Sequence, residues 1–552
     1  MARSYRSVDR EQEFLLPPSM IDWLPGDHLV WFVIEAVGRL DTAAFHKKAK
    51  LGGVGRRGYD PDMLLTLFVY AMAHGESSSR RIERLCHTDV AFRVICAQDV
   101  PDHTVLARFR KDHEAALTGL LTGSLVLAAE LGMVSLGVVA FDGTKIAANA
   151  SREANRGEAH LRSLAERFLD TVAKTDEAED AAFGEDNRGD ELPPEVRDRS
   201  RRGERIQQAL EQIAARREQA ERVVAEQVER ARAYERQAAE PAAAAPVGRP
   251  PADADPVAVA KARWERERAK AAARHAEYLT RPRRPGRMVP PDEFHRVRKA
   301  WAAYQAEADT AANTAANTAA NTADAAANKD TASATGDRDR DRAASDGQAL
   351  RANLTDPQSR LLKTRNGWLQ GYNCQTATSD DEFIISARAT QDAGDVEQFI
   401  PTMDDVTATA QTLAERTGRD DLRVGTMVGD AGYDSDANLT APGPDRLIAD
   451  GKRHTIDQRA ATNPATGDPP PDASPREKMN HRLRTPEGHT LYKRRAPMSE
   501  APNAWLKDRR GLRRFARRGL TAVQAELSFA CAVTNLLKIA IKGVTATQLQ
   551  TG

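Results

Sequence analysis

A break in composition in the middle of the chain limits how the rest of it can fold. From just after Ser151 to about residue 350 the sequence is rich in Ala, Arg, Glu and Gln and has too few large apolar residues to bury a core. Two long polar helices are predicted there, over residues 203–237 and 257–279. For the Thr-Ala-Ala-Asn repeat that runs from Thr310 to about Thr322, and for the polar tract 323–346, we expect disorder or a loosely held helix. Residues 152–350 are therefore a helical, partly low-complexity insertion in a chain whose 552 residues predict two or three domains.

The segments on either side of the insertion differ in pattern. Residues 1–133 predict an all-helical domain, with helix starts at Asp60-Pro61, at Ser77 and at Asp102. Beyond the helical domain, strands are predicted at 138–141, 367–377, 383–389, 423–428 and 446–449, helices at 395–416 and 521–541, and a polar loop at 457–474. Residues 134–151 and 351–545 therefore predict an α/β domain, a mixed sheet with flanking helices of the ribonuclease-H-like type.

The composition favours a cytoplasmic protein without a membrane partner. Hydrophobic residues make up 41% of the chain and charged residues 29%, and no apolar run approaches the roughly 20 residues of a membrane helix. No apolar segment follows Met1–Arg6, so no secretory signal is expected. The four cysteines are scattered without a Cys-x-x-Cys pair, which is typical of buried thiols in a reducing compartment rather than of a zinc site or a disulfide framework.

The charge is balanced over the chain but not along it. The formal net charge is +0, whereas the stretch from Lys493 to Arg518 carries ten basic residues against Glu500 and Asp508. Phosphate binding depends on local charge, so this stretch predicts a contact with nucleic acid.

Three acidic residues that are far apart in the sequence lie where metal ligands are expected. Asp142 and Asp430 each follow an apolar run, and Glu500 opens a predicted helix, an arrangement in which Pro502 is tolerated. Any one such aspartate is more often a turn or cap residue. Mg²⁺ prefers oxygen ligands, and two metal ions roughly 3.5–4 Å apart activate the attacking oxygen and stabilise the leaving oxygen of a phosphodiester. The three residues together predict a two-magnesium site, in which Mn²⁺ is an alternative ion.

The sequences around these residues resemble those of a known family. The resembling segments, in chain order, are Phe141-Asp142-Gly143-Thr144-Lys145, Gly371-Tyr372-Asn373-Cys374-Gln375-Thr376-Ala377, Val428-Gly429-Asp430-Ala431-Gly432-Tyr433, Tyr492-Lys493-Arg494-Arg495 followed by Glu500 and Lys507, and Arg509–Phe515. They resemble the bacterial insertion-sequence DDE transposases, within the group named insertion sequence eleven-eighty-two and related to the insertion-sequence-four and insertion-sequence-five types. The resemblance leaves mainly the low-complexity part of the insertion unmatched.

The resemblance implies a role for each matched residue. Asp142, Asp430 and Glu500 would be the catalytic residues and the ligands of Mg²⁺. DNA near the cleaved phosphate would contact Tyr492, Arg495 and Lys507, and further DNA contacts are predicted for Lys145, Arg510, Arg513 and Arg514. The alternative for Tyr492 is a packed aromatic, and the alternative for Arg495 and Lys507 is a solvated charge.

The helical N-terminal segment resembles the family's amino-terminal domain, which implies that it binds terminal inverted repeats. Basic residues follow its predicted helices, and we expect contacts with DNA phosphates from Arg80, Arg81, Arg84, Arg108 and Arg110. The alternative is a solvated helix face.

Together these expectations describe a DDE transposase. It would bind the terminal inverted repeats of an insertion sequence, as a homodimer that pairs two ends, and catalyse Mg²⁺-dependent cleavage of double-stranded DNA and strand transfer into a target. The sequence contains no P-loop, so ATP is not an expected partner. The alternatives are a catalytically silent DNA-binding remnant, a nuclease without strand transfer, and a coiled-coil protein, which would leave the motifs unexplained.

Overall fold

The chain divides into two compact units. The computed structural model describes residues 19–47, 58–167, 194–240, 250–251, 253–280, 289–327 and 350–551. The first unit contains residues 1–156, 164–209 and 352–552, and the second contains residues 157–163 and 210–351. The segments predicted as a helical domain and as a sheet domain therefore lie in one compact unit, and the second unit contains most of the predicted insertion.

The N-terminal part of the first unit is helical, as predicted. Its helices are α1 (Leu29–Arg39), α2 (Ala43–His46), α3 (Pro61–Ala73), α4 (Ser79–Thr88), α5 (Val90–Ile95), α6 (His103–Asp112) and α7 (Glu114–Glu130). Helix α3 starts where the sequence predicts because Asp60 Oδ1 accepts a hydrogen bond from the N–H of Asp62 (3.1 Å). Asp102 caps α6 in the same way through the N–H of Thr104 (2.7 Å).

A mixed sheet follows these helices. Its strands are β1 (Val138–Ala147), β4 (Arg360–Thr364), β5 (Gly367–Ser379), β6 (Ile384–Thr390), β7 (Thr426–Gly429) and β8 (Asp445–Ile448), and a separate short pair is formed by β2 (Asn155–Gly157) and β3 (Arg351–Asn353). The order is β4-β5-β1-β7-β8, and β6 also pairs with β5. Strand β1 is antiparallel to β5 and parallel to β7, which is parallel to β8. The predicted mixed α/β fold is confirmed at this level.

The C-terminal helices differ from the predicted ones in one important respect. They are α12 (Phe399–Thr417), α13 (Asp436–Thr440), α14 (Arg453–Thr462), α15 (Pro475–Arg484), α16 (Pro486–Ala504), α17 (Leu520–Ile541) and α18 (Ala546–Thr551). Helix α16 begins at Pro486 and not near Glu500, so Pro497 and Pro502 both lie inside it, and a π-helical turn follows at Trp505–Arg509. Each internal proline removes one helical hydrogen bond. Helix α14 also occupies the start of the segment predicted as a polar loop.

The two faces of the sheet pack against different helices. Along β1, Val139 and Phe141 belong to the large core that includes α7 and α17, whereas Val138 and Ala140 belong to a smaller cluster that includes Tyr492 of α16. This alternation is the two-residue period of a strand. Helix α16 therefore covers the face of the sheet to which Val138 and Ala140 of β1 point.

Helix α17 is long and apolar enough to cross a membrane by length and composition. Its most apolar window has a mean hydropathy of 1.3, and 83% of that window is buried inside the protein. The expectation that no apolar run approaches this length is therefore wrong for α17, because polar residues such as Glu526 and Asn535 hide the run in the sequence. Burial in the core, where α17 packs between α7 and β6, accounts for its composition.

Apart from strand β2, the described part of the insertion is helical. Its helices are α8 (residues 158–167), α9 (Pro194–Ala239), α10 (Pro256–Thr280) and α11 (His295–Ala327). In the second unit, Trp264 of α10 packs against Trp301 and Tyr304 of α11, with ring centroids 4.7 Å and 6.1 Å apart. Helix α11 contains the Thr-Ala-Ala-Asn repeat, and most of the polar tract after it lies outside the described residues.

Candidate metal centre

The two predicted sheet aspartates lie on adjacent parallel strands. Ala140 of β1 is paired with Val428 of β7, and Asp142 and Asp430 each lie two residues further along their strands. Asp430 directly follows β7, as predicted, but Asp142 lies in the middle of β1. Strand β1 does not end at Asp142, because it continues to Ala147 as the antiparallel partner of β5. The register nevertheless places the two aspartates side by side, at the point where β7 ends.

The carboxyl group of Asp142 is contacted by two residues of α16. Asn503 Nδ2 donates to Asp142 Oδ2 over 3.0 Å, and Arg495 Nη1 lies 3.7 Å from Asp142 Oδ1. Burial raises the pKa of Asp142 to about 6; the charge of Arg495 opposes this rise, and the charge of Asp430 adds to it. A cation stabilises a buried carboxylate such as that of Asp142 beside a second one, and carboxylate oxygens are the ligands that Mg²⁺ prefers. The donor set therefore fits a divalent metal ion.

Helix α16 presents these contacts from one face. Arg495, Ser499 and Asn503 are spaced four residues apart, so their side chains lie along one stripe of the helix. Arg495 Nη1 is buried and has no hydrogen-bond acceptor among the described residues. The guanidinium thus combines a long ion pair to Asp142 with an unsatisfied donor.

Tyr492 is a packed aromatic one turn before Arg495. It is 5% exposed and belongs to the cluster with Val138 and Val428. Burial raises the pKa of its hydroxyl, and Arg495, which is hydrogen-bonded to that hydroxyl, lowers it. Tyr492 therefore supports Arg495 from inside the sheet–helix contact.

Glu500 lies on α16 but is exposed. It is three residues before Asn503, and within the described part of the chain it has no hydrogen-bond or ion-pair partner. The structure brings Asp142 and Asp430 together and places Glu500 on the helix that contacts Asp142. Among the described residues, the groups of three possible metal ligands within 4.8 Å of one another are His46, Asp60 and Asp62, and Glu83, Asp102 and His103, so the three predicted carboxylates do not form such a group. Their shared role as metal ligands stays a prediction.

Lys507 lies in the π-helical turn after α16 and is half-buried. Burial lowers the pKa of its amino group, and the negative charge of Asp142 is one of the influences that oppose the shift. Lys507 is therefore close enough to Asp142 to interact with it electrostatically.

Arg510 is placed inside the protein and not at its surface. It is 9% exposed, and its Nη1 donates to the carbonyls of Met72 and Ala73 at the end of α3. Burial lowers the pKa of its guanidinium to about 10. Arg510 therefore ties the helical part of the first unit to the segment after α16, and its guanidinium does not face a DNA phosphate here.

Arg513 and Arg514 are exposed beside the strand that carries Asp142. The N–H of Ala147 donates to the carbonyl of Arg513 (3.2 Å), and the N–H of Phe515 donates to the carbonyl of Ala147 (2.9 Å). Arg513 also forms an ion pair with Asp508. The backbone of this basic segment is thus fixed against the end of β1. Lys145, on the same strand, is half-buried, and its Nζ donates to the carbonyl of Lys363 (2.7 Å).

The N-terminal arginines fall into two groups. Arg80, Arg81, Arg84 and Arg108 are exposed, and Arg81 forms an ion pair with Glu76 (2.7 Å). Arg110 differs, because its guanidinium donates to the carbonyl of Ser77 (2.7 Å) and to Ser79 Oγ (2.8 Å) and lies over the ring of Phe68. The four exposed arginines can reach a phosphate, whereas Arg110 holds helices together.

Two polar residues near Asp142 were not singled out from the sequence. Asn503 donates to Asp142 and accepts a hydrogen bond from Thr376 Oγ1 of β5 (3.2 Å). Asp395, which precedes α12, is hydrogen-bonded to two amide side chains of β5. The position of Asn503, two turns after Arg495, was a readable signal, whereas nothing in the sequence around Asp395 connects it with the centre.

Two family models match segments near opposite ends of the chain. Residues 18–112 match a family described as Transposase domain (DUF772), and residues 469–540 match a family described as Transposase DDE domain. The first segment contains α1 to α6, and the second contains α16, with Tyr492, Arg495 and Glu500, and the π-helical turn with Lys507. The comparison with curated proteins and the comparison with solved structures each return no match.

Proposed function

We propose that this protein is an insertion-sequence DDE transposase of the group named insertion sequence eleven-eighty-two, which binds terminal inverted repeats and catalyses cleavage and strand transfer of double-stranded DNA. The two family matches support a transposase with a DDE domain. The observation that carries the catalytic proposal is the parallel register of β1 and β7, which sets Asp142 beside Asp430. An antiparallel β5–β1 pair followed by parallel β7 and β8 supports a ribonuclease-H-like sheet.

Asp142 and Asp430 would hold the metal ions, with Glu500 as the carboxylate that α16 contributes. Bound Mg²⁺, or Mn²⁺ in its place, would supply activation of the attacking oxygen and charge stabilisation of the leaving oxygen. Asp142 and Asp430 offer two adjacent carboxylates from a rigid sheet. Glu500 is exposed and without a partner in the described part of the chain, so its carboxylate is free to bind a ligand.

The basic residues around Asp142 would position the phosphate that is cut. Arg495 has a buried Nη1 without an acceptor among the described residues, which suits a non-bridging phosphate oxygen. Lys507 adds a second positive charge, which interacts electrostatically with Asp142. Phosphodiester chemistry is catalysed mainly by positioning and electrostatic stabilisation. These two residues would therefore contribute to the rate of cleavage and not only to DNA affinity.

The reaction that follows from this arrangement has two transfers. Water would attack the phosphodiester at the end of the element and leave a 3′-hydroxyl, which would then attack a phosphodiester of the target. Both ends must be present together for insertion, so a homodimer that pairs two ends is part of the proposal. The exposed residues Arg80, Arg81, Arg84 and Arg108 would contact phosphates of the terminal repeats.

Cleavage of a plasmid that carries the DNA flanking the coding region tests this function. The full-length chain should nick or cut the plasmid only when Mg²⁺ or Mn²⁺ is added, and Asp142→Asn should lower the rate by roughly 1,000-fold or more. Asp404→Asn is the matched control, because Asp404 is exposed on α12. A parent protein that neither binds nor cuts this DNA would overturn the proposal.

A catalytically silent, DNA-binding remnant is the second candidate. It is favoured by the placement of Glu500, which does not form a three-carboxylate group with Asp142 and Asp430. This candidate predicts that the parent and Asp142→Asn bind the flanking DNA equally well and that neither cuts it. The same plasmid experiment therefore separates the two functions.

A further inference from the structure

The hairpin formed by β4 and β5 carries two exposed apolar side chains next to each other. Trp368 is 53% exposed and Leu361 is 42% exposed. Lys363 is the partner of Trp368 across the two strands, and Gln370 is the partner of Leu361. Leu361 is therefore the diagonal neighbour of Trp368 on one face of the hairpin. A single exposed apolar residue is ordinary on a protein surface, whereas two adjacent large ones form a patch that a partner can cover.

The turn of this hairpin is well ordered. Thr364 Oγ1 donates to the carbonyl of Gly367 (2.8 Å) and accepts from the N–H of Asn366 (3.2 Å). Gly367 has a φ of 105°, which favours glycine at this position. The side chain of Trp368, which follows directly, has no hydrogen-bond or ring partner within the described part of the chain. The hairpin therefore presents the indole from a defined backbone, and no contact inside the protein accounts for its position.

The hairpin is also basic. Residues 357–378 include Arg360, Lys363 and Arg365 and no acidic residue. Lys363 and Arg365 are exposed, and neither has an ion-pair partner among the described residues. The amino group of Lys145 adds another positive charge, since its Nζ donates to the carbonyl of Lys363 (2.7 Å). An exposed aromatic side chain between uncompensated positive charges is complementary to nucleic acid, which offers apolar nucleotide surfaces between phosphates.

The position of Trp368 on β5 relates the patch to the candidate metal centre. Asp142 is paired with Thr376 of β5, and Trp368 lies eight residues before Thr376. An even separation places Trp368 on the same face of β5 as Thr376, whose hydroxyl donates to Asn503 (3.2 Å). Eight residues of a strand span about 26 Å. This length corresponds to about eight base pairs of a duplex.

Exposed arginines lie between the metal centre and the patch. Ala147, at the end of β1, is paired with Gly371 of β5, three residues from Trp368. The backbone of Arg513 and Arg514 is fixed against Ala147 by hydrogen bonds, and both side chains are exposed. A duplex that passes the metal centre along this strand direction would therefore meet positive charge first and the apolar patch beyond it.

We propose that the β4–β5 hairpin is a further DNA contact of this protein. Trp368 and Leu361 pack against the apolar surface of the nucleotides, and Lys363 and Arg365 bind phosphates on either side. This inference rests on the proposed function and adds a contact within about eight base pairs of the cleaved phosphate. A second copy of the chain is the competing occupant, because β4 is an edge strand of its sheet. The charge of the hairpin favours DNA, since pairing two copies of it would bring like charges together.

Binding of the full-length protein to a duplex that contains the DNA flanking the coding region tests the role of the aromatic side chain. Fluorescence anisotropy measures the affinity. Trp368→Ala should weaken binding about tenfold, because stacking on a nucleotide is lost. Trp368→Phe keeps an aromatic ring and should bind nearly as the parent does. Ile541→Ala is the control, because Ile541 is 78% exposed at the end of α17, and it should leave the affinity unchanged.

The charges of the hairpin are tested in the same assay at several salt concentrations. The double change Lys363→Ala and Arg365→Ala should reduce the slope of log affinity against log salt by about 2, one for each lost phosphate contact. Arg416→Ala is the control, because Arg416 is exposed on α12. Both hairpin residues are exposed, so this variant carries the test if circular dichroism shows that Trp368→Ala does not fold.

Hydroxyl-radical footprinting locates the contact on the duplex. Trp368→Ala should lose protection within about eight base pairs of the phosphate that the parent cuts. A parental affinity, salt slope and footprint in the hairpin variants would overturn the inference. A parent that still binds and cuts this DNA would in that case keep the proposed function, whereas a parent that does not bind it would overturn both.

Sedimentation velocity without DNA distinguishes the competing occupant. If the hairpin binds DNA, Trp368→Ala and the parent should have the same oligomeric state. A variant that changes its oligomeric state and keeps the parental DNA affinity would assign the hairpin to an interface between copies of the chain, and the inference would be wrong.

Discussion

The sheet side and the helix side of the candidate centre differ in whether their predicted acidic residues lie at the centre. On the sheet side, Asp142 and Asp430 are aligned by a register of backbone hydrogen bonds between β1 and β7. On the helix side, Arg495 and Asn503 of α16 reach Asp142, whereas Glu500 faces solvent. One side has its acidic groups assembled, and the other presents a cation and an amide where a carboxylate was predicted.

The difference shows how strand pairing and helix packing each determine the position of a side chain. Two residues at equivalent positions of neighbouring parallel strands must lie side by side, whatever covers the sheet. The direction of a helical side chain depends on the phase of the whole helix, which turns by about 100° per residue. Two internal prolines and a π-helical turn act on the phase of α16 close to Glu500. The phase of α16 at this point determines which way Glu500 faces.

Glu500→Gln is the substitution that most directly tests whether the helix side contributes a carboxylate. If Glu500 binds metal in the working complex, the variant should lose roughly 1,000-fold in Mg²⁺-dependent plasmid cleavage. Its free energy of unfolding should change by less than about 0.5 kcal/mol, because the side chain is exposed and unpaired within the described chain. Glu487→Gln, an exposed glutamate in the first turn of α16, is the control. Cleavage at the parental rate would show that the helix side contributes no carboxylate.

Arg495→Lys, which has the next largest expected effect, tests the role of the positive charge on the helix side. A lysine has a single charged nitrogen and cannot both remain near Asp142 and present a second donor to a phosphate. We expect about 100-fold slower cleavage with DNA affinity nearly unchanged, measured by plasmid cleavage and by DNA binding at one salt concentration. Arg494→Lys is the control, since Arg494 is paired with Asp380. Equal cleavage rates for the two variants would contradict the role of Arg495.

The sheet side was largely readable from the sequence. The apolar runs before Asp142 and Asp430 predicted two buried strands, and their pairing follows from the parallel arrangement. The position of Asp142 within β1 was missed, because Gly143-Thr144-Lys145 has the character of a turn, whereas β5 is long enough to pair with it up to Ala147. The pairing partner decided the length of the strand, and local propensity did not.

The helix side was less readable, for a reason that the structure makes plain. Pro502 predicted a helix start near Glu500, but Thr485 caps α16 by accepting from the N–H of Gly488 (3.1 Å), and Pro502 is buried in the helix. Contacts such as that of Asn503 with Asp142 join residues 361 positions apart. They depend on how α16 packs against the sheet, and no local sequence pattern predicts that packing.

The burial of Asp142 gives a pH-dependent prediction for the sheet side without metal. Its folded pKa of about 6 lies above the unfolded value of about 3.9, so the folded protein binds the proton more tightly. The contribution of Asp142 to stability should therefore fall as pH rises from about 4 to 6 and stay reduced above that. Asp142→Asn should raise the free energy of unfolding at pH 7.5 by about 2 kcal/mol, and the gain should vanish near pH 4.

Urea unfolding in metal-free buffer at several pH values measures this effect. Adding Mg²⁺ should stabilise the parent and not Asp142→Asn, because the ion replaces the proton as the partner of the carboxylate. Asp404→Asn should follow the parent at every pH. A difference in stability between the parent and Asp142→Asn that stays flat between pH 4 and 7 would show that burial does not raise the pKa of Asp142.

The smallest expected effect extends the comparison to charges outside the centre. Arg80 and Arg81 are exposed on α4, whereas Arg110 is held by Ser77 and Ser79. The double change Arg80→Ala and Arg81→Ala should weaken binding to the flanking DNA a few-fold and reduce the slope of log affinity against log salt by about 1 for each lost phosphate contact. The fold should be unaffected, and Arg110→Ala should instead destabilise it, since buried hydrogen bonds are lost. Affinity equal to the parent across the salt series would remove Arg80 and Arg81 from the DNA-binding surface and leave it to the basic segment beside β1.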